Sequence, residues 1–153
     1  MPDFDSRVDT YEHIHLVERN LQDAIRELLN RAQLHDRSKL DGIEKKTFDR
    51  VTPALRGLTY GSDEYKEQLA SMGPALAEHY EKNQHHPEHF TDGIRGMTLI
   101  DLLEMLCDWE AATHRHADGS LARSIELNQY RFGYGDELRG ILKNTAKSFG
   151  WND

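Results

Sequence analysis

Cysteine is almost missing from this chain of 153 residues: Cys107 stands alone, so no disulfide can form within it and its stability must come from packing. No apolar run approaches the length of about 18 residues that a membrane-spanning helix needs. The stretch MPDFDSRVDTYEHIH lacks the basic-then-apolar order of a secretory signal, which favours a cytoplasmic protein. Positive charge is scarce as well. Nineteen Lys and Arg face twenty-seven Asp and Glu, a formal net charge of -8, and such a surface repels nucleic-acid phosphates and anionic lipid heads. Neither nucleic acid nor a membrane is therefore an expected partner. Alternating apolar and polar residues bounded by turn signals are also lacking, which removes the evidence for strands.

What the chain does have is apolar residues at helical spacing, with no internal repeat or shift of composition to mark a boundary. The pattern predicts an all-α fold, a single-domain helical bundle over residues 1–153. A first helix starts near Val8 and turns Ile14, Val17, Leu21, Ala24, Leu28 and Ala32 inward, with His35 on the next beat. Ser38 or Asp41 caps a short second helix that ends before Thr52-Pro53. Ser62 opens another, which Gly73-Pro74 kinks or splits. The rhythm that places Tyr65, Leu69, Met72 and Leu76 inward continues to His79, Asn83 and His86. Residues 98–115 are apolar nearly all round, the mark of a central buried helix; Asp101, Glu104 and Asp108 share one stripe on it with Arg115. After an Asp118-Gly119 turn, segments from Leu121 to Phe132 and from Asp136 to Phe149 complete the bundle, with Asp136 as a cap and Gly150 as the stop.

Nine histidines are many for such a chain. His35 and Asp36, in LHDRSK, put a neutral ring nitrogen and a carboxylate side by side. With His79, His85 or His86 and an acidic residue of the central helix, they make a nitrogen-oxygen ligand set for a divalent transition metal such as Fe, Mn, Zn, Co or Ni. The plainer reading is one buried His-Asp hydrogen bond at a helix end, and it weakens because three segments deliver such groups to their inward stripes. Lys39, Arg115 and Arg131 are candidate phosphate clamps, although the arginines suit surface or buried ion pairs equally well. His114 and His116 fit a solvent-facing helix end. Cys107 reads as a small core residue, and Tyr65, Tyr80, Trp109, Phe132 and Tyr134 as packing.

HDRSK resembles the His-Asp-x-Gly-Lys signature of the HD-domain metal-dependent phosphohydrolases, with Ser38 in place of the glycine. His13, followed four residues on by Val17, is similar to that superfamily's upstream histidine. HHPEHFTDG at 85–93 resembles the His-His-x-x-x-x-Gly stretch of the branch that cleaves cyclic dinucleotides, and Asp108-Trp-Glu-Ala-Ala-Thr resembles the downstream metal aspartate. Through HDRSKL, YGSDEYK, HHPEHF and EMLCDW the chain also looks like a family of short uncharacterised proteins of phages and bacteria. The first resemblance implies an HD-like helical fold with His35 and Asp36 as metal ligands and Asp108 as the closing carboxylate. It implies His79 and His86 as further ligands of one ion or two, and Lys39 beside Asp36 at the substrate phosphate. The implied activity is hydrolysis of a nucleotide or related small phosphoester by metal-activated water, in the host cytoplasm if the protein is phage-encoded. A small phosphorylated substrate is then the expected partner, with a homodimer as the assembly to look for. In one straight helix His13 and His35 would lie about 33 Å apart, so His13 joins the site only if the chain turns near Asn30. The alternative is a noncatalytic helical accessory protein whose His and Asp residues form a structural metal site or polar core.

Overall fold

Helical spacing without strand signals produces helices throughout: a computed structural model, which describes residues 4–59, 61–115 and 119–151, is all-α and 76% helical. The chain gathers into two compact units, 1–35 and 36–153, where the sequence suggested one continuous domain. Among the described residues no helix is long and apolar enough to cross a membrane.

The first unit is the helix α1 (Arg7–Leu34), whose 28 residues contain no glycine or proline to interrupt it. It has no buried residue, and Ile14, Val17 and Leu21, expected inward, are exposed. A lone helix cannot bury its own apolar stripe. The His35 N–H ends α1 by donating to the Arg31 carbonyl at 2.8 Å. Because α1 does not turn near Asn30, its length carries His13 about 33 Å from His35. His13 is thereby corrected: it cannot share an ion with His35.

The second unit opens with Asp36 at φ +56°, among the described residues the one non-glycine in the left-handed region. That reversal starts the 3-10 turn Arg37–Leu40, which leads into α2 (Gly42–Leu55). α2 runs through Pro53 instead of ending before it, since only two residues follow the proline and little of the helix is lost. Ser62 caps α3 (Asp63–Ala70) by accepting from the Tyr65 N–H at 3.2 Å. Gly73, at φ +48°, and Pro74 then split the segment, and α4 (Pro74–Lys82) starts in a new direction. The helical rhythm stops at Asn83, so His85 lies in a turn and His86 on extended backbone before the 3-10 turn Pro87–His89. After a further 3-10 turn, Gly93–Gly96, α5 (Leu99–Thr113) begins with a capping box between Thr98 and Asp101.

α6 (Leu121–Phe132) and α7 (Asp136–Ser148) follow, and Leu106, Leu121, Ile125, Tyr134, Leu142 and Ala146 form the core that joins them to α5. Gly135 takes the cap position expected of Asp136, while Gly150 stops α7 at φ +73°. α5 is less central than its composition implies. It buries Asp101, Met105 and Leu106, whereas Leu99 is 82% exposed and Cys107 is exposed rather than core. His116 and Asp118 lie outside the described residues. Truncating Leu106 to Ala should therefore cost about 2–5 kcal/mol in chemical denaturation, and Leu99→Ala less than about 0.5 kcal/mol; equal losses would contradict this placement of α5.

Candidate metal centre

Glu44 is fully buried in the first turn of α2, a position where an isolated carboxylate would be costly. Two donors meet it. The Ser38 hydroxyl donates to Oε2 at 2.7 Å, and Nδ1 of His79, from the last turn of α4, lies 2.9 Å from the same oxygen. A carboxylate only accepts, so the contact with Glu44 favours the Nδ1–H tautomer of the neutral ring, which leaves Nε2 unprotonated beside His86. Asn83 locks the ring's backbone from below: its Nδ2 donates to the His79 carbonyl at 2.7 Å and to Ser38 Oγ at 3.0 Å.

His85 repeats the arrangement from the other side. Its Nδ1 lies 3.2 Å from Oε1 of Glu104 on α5, and its Nε2 faces Oδ1 of Asp36 at 3.6 Å. His79 Nε2 faces that same oxygen at 3.4 Å. His86 Nε2 stands 2.9 Å from His79 Nε2. Ligand atoms of Asp36, His79, His85 and His86 all lie within 4.8 Å of one another, a grouping that could hold a metal ion. Donors about 2.1 Å from a common centre sit about 3 to 3.5 Å apart, close to the distances found. The donor set also has the right chemistry. Three neutral imidazoles and one carboxylate suit a first-row divalent metal, and two of the rings have a carboxylate behind them.

Their surroundings keep His79 and His86 neutral. Burial pushes His86 down to about 2, helped by the neighbouring His85 and His79. Burial and the Lys39 ammonium lower His79, against the pull of Asp36 and Glu44. Lys39 Nζ donates to Asp36 Oδ2 at 2.5 Å, leaving Oδ1 turned toward the imidazoles. Four carboxylates, of Asp36, Glu44, Glu104 and Asp108, gather at or beside the cluster; Lys39 pairs with Asp36, and the Lys82 ammonium lies 3.8 Å from Glu44 Oε1.

The cluster borders a cleft of about 200 Å³ into which His79, His86 and Asp108 project. Lys39, Arg56, Arg115, Arg123 and Arg131 line it with Phe48, Tyr65, Tyr80, Trp109 and Phe132, so the wall is both cationic and aromatic. Arg131 is held at the rim by Glu88, 2.5 Å away. Lys39 lies over the Phe48 ring, 4.8 Å from its centre.

The structure thus brings together Asp36, His79 and His86 of the expected ligands, and places Asp108 beside them, within 4.8 Å of a His85 ligand atom. Lys39, Arg115 and Arg131 all face the cleft. His35 closes the first unit, one residue before Asp36. Sequence reasoning missed Glu44 and the role of Ser38. Three residues past Asp41, Glu44 looks like any acid in a helix's first turn, and only its zero exposure distinguishes it.

An all-α chain with a His-Asp cluster able to hold a metal is the class that fold and site define. Residues 3–148 match the profile of a family of unknown function, DUF5662, and the protein belongs to that family. No curated protein and no solved structure matches the chain.

Because His86 resists protonation when folded but titrates near 6.5 when unfolded, the unfolded chain binds more protons below that pH. Stability is full above about 6.5 and falls with the pH below it, by up to about 2 kcal/mol at pH 5. Thermal melts of chelator-treated protein at pH 7 and 5 should show the drop, and His86→Asn should reduce it. A midpoint that rises toward pH 5 would contradict the sign.

Proposed function

We propose that the protein is a metal-dependent hydrolase of small phosphate esters, nucleotides among them, acting in the cytoplasm. The observation that carries this reading is the meeting of two features: a cluster of neutral imidazoles around Asp36, and a cationic cleft into which two of those imidazoles project. His79, His85, His86 and Asp36 would hold a first-row divalent ion, with Asp108 in reach. When bound, such an ion supplies a Lewis acid that acidifies water and offsets phosphate charge.

The chain's own residues do the rest. Lys39, Arg115 and Arg131 bind the phosphate oxygens; to do so Lys39 shares its ammonium between Asp36 and the ester, and Arg131 exchanges Glu88 for it. Asp36 Oδ1, turned toward the imidazoles, would serve as the carboxylate ligand and in that position help to orient an ion-bound water. Trp109 and the cleft's other aromatic side chains exclude solvent and offer a flat apolar surface to the alcohol portion. The pairing of Asp36 with a histidine before it and a lysine after it, in a helical protein, supports the likeness to the HD-domain phosphohydrolases.

A second reading has its own support. Ser38, Glu44, His79 and Asn83 hydrogen-bond one another, through Oε2 of Glu44, without any ion, as a structural polar core in a noncatalytic protein would. Elemental analysis of untagged protein decides between them when paired with a phosphatase screen on nucleoside monophosphates and p-nitrophenyl phosphate. Near-stoichiometric metal, reduced at least tenfold by Asp36→Asn, with hydrolysis abolished by chelator and restored by the ion, is expected. Protein that takes up no ion even when divalent metals are added back would overturn the hydrolase and favour the polar core.

A further inference from the structure

The two buried glutamates behind the histidines have no part in the substrate chemistry above, yet they occupy matching positions. Glu44 comes from α2 and Glu104 from α5, sixty residues apart in the second unit's sequence. Glu44 is fully buried, and the side chain of Glu104 is 9% exposed. Each approaches the Nδ1 atom of a histidine that is 1% exposed: 2.9 Å from Glu44 to His79 and 3.2 Å from Glu104 to His85. In both rings the opposite nitrogen, Nε2, faces the same atom, Asp36 Oδ1. His79 and His85 are six residues apart on different backbone, one in a helix and one in a turn, so no local repeat produces this correspondence.

We infer that Glu44 and Glu104 are paired positioning residues that fix His79 and His85 as Nδ1–H tautomers and thereby aim both Nε2 lone pairs at a single divalent ion beside Asp36. The inference rests on the reading of this cluster as a metal centre and adds to it the residues that set affinity. A carboxylate behind a ligating imidazole fixes its tautomer and raises its basicity, and losing it weakens metal binding by about 10- to 100-fold. Ser38 assists at Glu44 by occupying the same oxygen, which holds the carboxylate in place. It stands where the resembling HD signature carries glycine, a residue with no side chain to do so.

Competition for Zn2+ against a chromophoric chelator tests the affinity in wild type, Glu44→Gln and Glu104→Gln, with Glu126→Gln as a surface control. Each inner variant should bind about 10- to 100-fold more weakly, with the control unchanged. Circular dichroism and metal-free melting establish that the variants fold. Binding within about threefold of wild type in both folded variants would overturn the inference while leaving the metal centre standing.

Long-range proton-nitrogen NMR of the histidine rings in metal-free wild type gives a second readout, which does not depend on the variants folding or on any ion binding. It should find Nδ1–H tautomers at both His79 and His85. Nε2–H tautomers there would overturn the inference. Wild-type protein that shows the expected tautomers but binds no Zn2+, Mn2+, Co2+ or Ni2+ would overturn the metal centre, and with it the role in affinity.

Discussion

A carboxylate with no exposure, Glu44, is the constraint around which the second unit's first half is arranged. Its desolvation is tolerated because Ser38 and His79 both meet Oε2, and those two residues come from the 3-10 turn after Asp36 and from the end of α4. Satisfying Glu44 therefore ties α2 to the turn and to α4, three elements that also pack against one another. Removing one partner would strand a buried charge, which costs more than the hydrogen bond itself contributes. The same tie presents the bare nitrogen of His79 to Asp36, so the packing of the fold and the chemistry of the cluster share one bond.

Asp36 connects this half to the rest. Its left-handed backbone is a conformation that Asp tolerates better than most residues, and it turns the side chain so that one oxygen meets Lys39 and the other meets the imidazoles. Lys39 in turn reaches over Phe48, on the cleft wall. A short segment thus places a carboxylate and, three residues on, the lysine that is both its counter-ion and a cation of the cleft wall. On the far side α5 contributes Glu104 to the cluster and Asp108 to the cleft, from successive turns of one helix whose opposite side is anchored in the core by Leu106.

Much of this was legible in the residues. The helical class followed from spacing alone, the split at Gly73-Pro74 from backbone chemistry, and His79 from extending one apolar rhythm into polar residues; the helix ends before Asn83 and His86, which reach the cluster on other backbone. Glu44 was not legible, because a first-turn acid has an ordinary local explanation and only long-range packing reveals that it is buried. His85 was weighed but not preferred, since it falls off the helical beat; the chain leaves the helix at Asn83, and there periodicity stops informing. The stripe of α1 and the all-round apolarity of α5 misled in the opposite direction. Composition states what a helix is able to bury, whereas its neighbours decide what it does bury, as exposed Leu99 and Cys107 illustrate.

Anomalous diffraction at the metal edge, from crystals grown with Zn2+ or Mn2+, locates any ion held by the cluster. A metal centre here gives one strong peak about 2.0–2.2 Å from Nε2 of His79, Nε2 of His85 and Oδ1 of Asp36. A peak elsewhere, or a cluster that stays ion-free with its hydrogen bonds unchanged, would contradict it.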